Sequence, residues 1–230
     1  MRLDFFIANA TTLSRRDARK TISAGRVQVQ GKICRKAASA VDEEARITLD
    51  GEPLSLPGER YLMLHKPEGV ISATKDSQQP TALDLLPTDV RHGLHIAGRL
   101  DADTTGLLLL TTDGQWSHRI TSPRVECPKT YRVTLAEPIG NDAIGRLREG
   151  LLLHGESRPT RPAEVSVVGP GEIDLTLSEG RYHQVKRMLA AVGNHVTRLH
   201  RWRVGAIVLD ASLAPGHYRE LTPEEVASVR

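Results

Sequence analysis

The side chains of this 230-residue chain best placed to do chemistry lie in residues 98–112, GRLDADTTGLLLLTT, where Arg99, Asp101, Asp103, Thr104 and Thr105 sit between the apolar runs 94–97 and 107–110. Runs of that kind read as buried strands, so the charged loop belongs at the edge of a core. Charge in such a place is costly to desolvate unless it is paired or used, which makes Asp101 or Asp103 a candidate catalytic carboxylate. Asp and Thr are also ordinary turn residues that bond nearby backbone amides. A further reading takes DADTT as the D-x-D-x-T pattern of phosphatases that form an aspartyl-phosphate beside magnesium. That chemistry needs a downstream acidic pair to hold the metal, and no GDxxxD-like stretch follows.

A second group of interest is Lys186 in EGRYHQVKRMLAAVG. The spacing predicts a helix over 182–192, with Val185, Met188, Leu189 and Val192 forming an inward stripe at i, i+3, i+4 and i+7. Lys186 falls on another edge, from which its amine can reach a cleft or simply cover apolar surface with its stem.

Around these groups the apolar runs are many and short: 61–64, 94–97, 107–110, 131–135, 165–168, 173–177 and 204–209. Helical patterns are fewer, at 82–86, 116–121, 142–149, 182–192 and near Glu224. Their irregular alternation argues against repeated βαβ units and for an α+β domain, residues 60–230, around a large, mostly antiparallel sheet. Residues 1–50 read as a separate module. A short helix over 3–8 precedes a second one capped by Ser14 and ended by Gly25, and a small glycine-turned β unit follows. The stretch 51–59, GEPLSLPGE, has the composition of a linker.

Net charge is only +3, but it is unevenly spread. Residues 1–41 carry nine basic against two acidic side chains, residues 181–206 carry six basic and no acidic ones, and the stretch between them is acidic. Two basic blocks on an acidic body point to polyanion contacts at two places. No apolar run approaches a membrane span, and the N-terminus lacks a secretory pattern, so a cytoplasmic protein is expected. Cys34 and Cys127 form no metal or disulfide spacing.

Taken in order, GRLDADTTG, Lys129–Tyr131 (KTY) and EGRYHQVKRM resemble three motifs of the pseudouridine synthases. HRITSP at 118–123, EGRYHQVKRMLAAVGNHV and LAPGHYRELT extend the likeness to the branch that carries an S4-type RNA-binding module ahead of the catalytic domain, so the resemblance spans essentially the whole chain. It implies isomerisation of uridine to pseudouridine in small-subunit (16S) ribosomal RNA, with uridine 516 as the implied target. It also implies no cofactor or metal, no membrane association, and a monomer acting on a partly assembled small ribosomal subunit. The alternatives are a target in 23S ribosomal RNA and a non-catalytic S4-type assembly factor.

Carried over residue by residue, the likeness makes Asp101 the catalytic aspartate, Tyr131 the ring that stacks beneath the target base, and Lys186 the cation beside the aspartate. Leu199 completes the pocket wall, and Asp103 is left without a chemical role. Arg99 would hold a phosphate or the flipped nucleotide. Arg2, Arg15, Arg16, Arg19 and Lys20 would contact RNA from the first module, and Arg181, Arg187, Arg201 and Arg203 would line its path around the cleft. The assignment suits the chemistry. The carboxylate must be ionised to act as nucleophile at C1′ or base at C2′, and a neighbouring ammonium favours that form.

Overall fold

The computed structural model describes residues 1–229 other than 43 and 57, and the chain divides into two compact units, Met1–Glu59 and Arg60–Arg230. The first unit opens with helices α1 (Leu3–Ala10) and α2 (Arg15–Ser23). Ser14 caps α2 as its spacing predicts, its hydroxyl accepting the Asp17 amide at 3.1 Å. Gly25, at φ +80°, takes the left-handed turn that ends the helix. Strands β1 (Val27–Val29), β2 (Lys32–Ile33), β3 (Ile47–Leu49) and β4 (Glu52–Leu54) form an antiparallel sheet in the order β2-β1-β3-β4. Leu3, Phe6, Ile7, Ala18, Ile22, Val27 and Ile47 fill the core between helices and sheet.

The strand β4 corrects the reading of 51–59 as a linker. Its residues pair with β3, Ile47 with Leu54 and Thr48 with Pro53. A proline lacks the amide that an inner strand needs but is tolerated at a sheet edge, and β4 is an edge. Residues 52–54 of that stretch are therefore a closing edge strand, and residue 57 lies outside the described residues.

The second unit runs β5 (Tyr61–Lys66), a 3-10 turn (Ala82–Leu85), α3 (Thr88–Arg91), β6 (His95–Ala97), β7 (Thr104–Thr111), α4 (Gly114–Thr121), β8 (Lys129–Leu135), α5 (Asn141–Glu149), β9 (Glu164–Gly169), β10 (Glu172–Leu177), α6 (Gln184–Ala191), β11 (Val196–Val204), β12 (Ile207–Val208), β13 (Tyr218–Glu220) and α7 (Pro223–Ala227). Among the described residues these strands make one sheet in the order β13-β5-β7-β11-β8-β10-β9, with β6 beside β7 and β12 beside β11. Its pairs are antiparallel except β7 with β11, which run parallel.

Leu107, Leu108, Leu109 and Leu110 of β7 are all fully buried, as a central strand covered on both faces requires. Leu108 and Leu110 join Leu62, Leu64 and Leu100 on one face. Leu107 and Leu109 pack with Met63 and Trp116 on the other. The helices α5 and α6 lay Ile144, Leu147, Val185, Met188 and Leu189 over β8 and β10, a third cluster that Tyr131 joins to the first.

Two local readings change. The apolar run 204–209 is not one strand, because the chain turns at Gly205, at φ +58°, between β11 and β12. The helix expected over 182–192 begins at Gln184, because His183 sits in the left-handed region at φ +49°.

Candidate active site

The loop 98–103 is fastened through its backbone carbonyls. Arg201 donates to those of Gly98 at 3.0 Å and Arg99 at 3.4 Å, and the Ser72 hydroxyl donates to Leu100 at 2.8 Å. The Thr104 amide closes onto Asp101 at 3.1 Å, and Gly69 donates to Ala102 at 2.9 Å. Lys66, fully buried, adds Ala102 at 3.2 Å and Thr104 at 2.8 Å. Accepting groups of this density leave the loop little conformational freedom. Gly106 completes the arrangement: at φ +109° beside β11, a side chain there would collide with the Arg201 carbonyl oxygen, so glycine alone lets β7 and β11 approach.

Burial holds Lys66 down at about 8, against 10.5 for a free lysine, although the carboxylates of Asp103 and Asp101 pull the other way. The folded form thus binds fewer protons than the unfolded chain between about pH 8 and 10.5. Stability contributed through this group accordingly rises with pH across that window. Denaturant titrations from pH 7.5 to 10 are expected to show the rise, and Lys66→Met to flatten it.

The carboxylate of Asp101 leaves this loop toward α6. Lys186 Nζ lies 3.4 Å from Asp101 Oδ2, and His183 Nε2 lies 3.5 Å from Asp101 Oδ1. The nearer partner of Lys186 is Asp103, whose two oxygens accept its ammonium at 2.6 and 2.7 Å. Desolvation pulls Lys186 downward, but the bond to Asp103 and both carboxylates outweigh it and raise it above its ordinary value. The same ammonium lowers Asp103. The site therefore holds a charged lysine shared between two acids, and Asp103 is a direct partner of the cation, not a bystander on the loop.

Asp101, Lys186, Arg99, Tyr131 and Leu199 all line one cavity of about 420 Å³, within the range of small-ligand sites. Tyr131 is half-buried on β8, and Leu199 on β11 is buried. The separation along the chain disappears because β7, β11 and β8 are neighbours: Leu199 is opposite Thr104 on one side and Val133 on the other.

Sequence reasoning missed Lys66, Ser72 and His183. Lys66 ends β5 immediately before Pro67 in YLMLHKP, and a lysine closing an apolar strand is the signal that was present. His183 had no such signal, since its position depends on a turn held by Gln184. The Gln184 side chain accepts the Arg181 amide at 2.8 Å and donates to Glu179 at 2.7 Å.

The proposed RNA contacts of the second unit divide. Arg201 is 2% exposed and spends its guanidinium on Leu107, Gly98 and Arg99 carbonyls, so it is a structural pin and not an RNA contact. Arg187 binds Glu156 at 2.9 Å and the His154 carbonyl at 2.9 Å, and Arg181 binds Glu179 at 3.2 Å and the Pro159 carbonyl at 2.6 Å. Both guanidiniums are engaged within the fold by acids and carbonyls that tertiary approach brings to them from residues 154–159, with Glu179 added for Arg181. Arg203 is exposed, with one bond from its guanidinium to the Gly205 carbonyl at 2.7 Å.

In the first unit Arg2, Arg15 and Arg19 converge on the fully buried Asp4, at 2.9, 3.4 and 2.8 Å, each keeping about half of its own side chain exposed. Their hydrogen bonds, that of Arg2 foremost, hold Asp4 well below the usual carboxylate range against the opposing effect of burial. Arg16 is exposed and Lys20 pairs with Asp17 at 3.4 Å.

Comparison with known proteins gives a consistent picture. The family model for RNA pseudouridylate synthases matches residues 60–191, and that for the S4 domain matches residues 1–47. Among curated proteins, the ribosomal small subunit pseudouridine synthase A of Escherichia coli strain K12 is 54% identical over 230 residues, covering 100% of both chains. The protein of the same description from Vibrio cholerae is 48% identical over 229 residues, covering 100% of this chain and 99% of its own. A solved structure described as a pseudouridylate synthase superposes with a TM-score of 0.75 at 46% identity, covering 100% of each chain.

Proposed function

Because the chain belongs to the RNA pseudouridylate synthase family, with an S4 domain ahead of its synthase domain, we propose that it isomerises one uridine of 16S ribosomal RNA, uridine 516, with Asp101 as the acting carboxylate. The family converts uridine to pseudouridine in ribosomal RNA, and the curated relatives that match end to end are small-subunit enzymes. The observation that carries the site assignment is the meeting of Asp101, Lys186 and Tyr131 in one cavity.

The reaction breaks the bond from N1 of uracil to C1′ of the ribose, turns the detached base, and joins C5 to C1′; the proton on C5 leaves and N1 gains one. Asp101 acts on the ribose as nucleophile at C1′ or as base at C2′. Lys186 keeps a positive charge beside it throughout, and Asp103 holds that ammonium in place. The target nucleotide must leave its stack to enter the cavity. Tyr131 offers the departing base a ring, which returns about 1 to 3 kcal/mol of the stacking lost. Arg99, on the cavity wall, is the group for the nucleotide's phosphate.

The first unit tethers the RNA through Arg2, Arg15, Arg16, Arg19 and Lys20, which raises the effective concentration of the target at the cavity. The proposed working form is a cytoplasmic monomer acting on a partly assembled small subunit. Mapping pseudouridines in total ribosomal RNA tests the reading. Cells lacking this protein are expected to lose one modification in 16S RNA, regained with the wild-type chain but not with Asp101→Asn. Loss of a 23S modification instead, or no loss, would overturn it.

A further inference from the structure

We infer that Tyr182 is the stacking platform for a nucleotide next to the target uridine, so that the cavity takes two unstacked bases, one on Tyr131 and one on Tyr182. The inference rests on the proposed reaction at Asp101 and adds a second base subsite to it. Tyr182 is 73% exposed, more than any other large apolar side chain among the described residues. Its ring is nevertheless fixed, lying on the imidazole of His183 with centroids 3.8 Å apart and planes 20° from parallel.

One face of the phenol is therefore occupied by His183, and the high exposure leaves the other face open. An exposed ring with a preset orientation loses little freedom when a base stacks on it. Its orientation derives from the backbone. His183 is held at φ +49° by the Glu179–Gln184 turn, a conformation that non-glycine residues adopt rarely and at some cost.

The location completes the argument. Tyr182 and Tyr131 line the same cavity, Tyr131 half-buried in the sheet and Tyr182 exposed. Beneath Tyr182, His183 is the residue whose Nε2 lies 3.5 Å from Asp101. A nucleotide swung out of an RNA strand unstacks its neighbour as well, and the second ring is positioned to receive that neighbour. The nucleobase face is the ligand chemistry, so the platform accepts any base.

The test uses the full chain and a 16S RNA fragment with 2-aminopurine beside the target uridine. Fluorescence is read in the Asp101→Asn background, where binding occurs without turnover, and kinetics are read with Asp101 intact. Tyr182→Ala is expected to raise KM by about tenfold or more, to change kcat much less, and to abolish the stacking-dependent quench. Tyr182→Phe, which keeps the ring, is expected to restore both. A change confined to kcat or to its pH profile would mean that Tyr182 only positions His183, and would overturn the inference. A quench that survives Tyr182→Ala would also overturn it, as would unchanged KM, while leaving Asp101 untouched. Turnover by Asp101→Asn itself would instead remove the underlying site assignment.

Discussion

Asp101→Asn is expected to slow pseudouridine formation by at least about a thousandfold while leaving RNA affinity within about tenfold. Asparagine has nearly the same shape, so Lys186 and His183 keep an oxygen to approach and the cavity keeps its walls. What disappears is the negative charge that attacks C1′ or takes the C2′ proton. Asp103 cannot stand in for it, because both of its oxygens are bound to Lys186 at 2.6 and 2.7 Å. Affinity persists because it rests on phosphate contacts spread over many cations, most of them outside this loop. Single-turnover assays with saturating enzyme, beside a binding titration at fixed salt, separate the two quantities. Comparable turnover by the variant would dismiss Asp101 as the acting group.

Arg201→Met is expected to cost about 3 kcal/mol of stability, although the position lies in a basic stretch that reads as an RNA contact. Among the described residues no carboxylate pairs with the buried guanidinium; it is held by the carbonyls of Leu107, Gly98 and Arg99. Removing it strands the buried Leu107 acceptor and two part-buried ones, and loosens the loop that carries Asp101. For a chain of this size each kcal/mol corresponds to roughly 2 to 4 °C in Tm, so a drop of about 6 °C or more is expected by calorimetry. The fraction that remains folded should bind RNA nearly as well as the wild type. A variant with unchanged Tm and tenfold weaker binding would restore Arg201 to the RNA surface.

These two positions mark how far the sequence could be read. The placing of Asp101 on a loop at the core's edge was legible because a short acidic loop between two apolar runs is a local pattern, and Tyr131 and Lys186, which line the same cavity, lie in motifs whose order is itself informative. The layout of 98–112 as loop and strand is equally local, and β7 follows from it. Arg201 was misread because β11, VTRLHRWRV, places charged residues where a strand normally alternates polar with apolar. A basic block and a buried strand with arginines in it have the same composition. Only pairing with β7 and β8 tells them apart, and that pairing spans some ninety residues of chain. The partners of Arg181 and Arg187 were not legible for the related reason that they are set by tertiary approach: Glu156 is far enough along the chain that no spacing rule links it to them. The left-handed His183 was hidden in an otherwise convincing helical run.

The anchoring of residues 98–104 decides which partner yields when RNA arrives. A loop whose carbonyls are held by Arg201, Ser72, Gly69 and Lys66 has little travel of its own, so most of the adjustment falls to the nucleic acid. Under the proposed reaction the stiffness of one short loop passes the adaptation to the RNA, and a pliable segment is expected to be a better substrate than a rigid one.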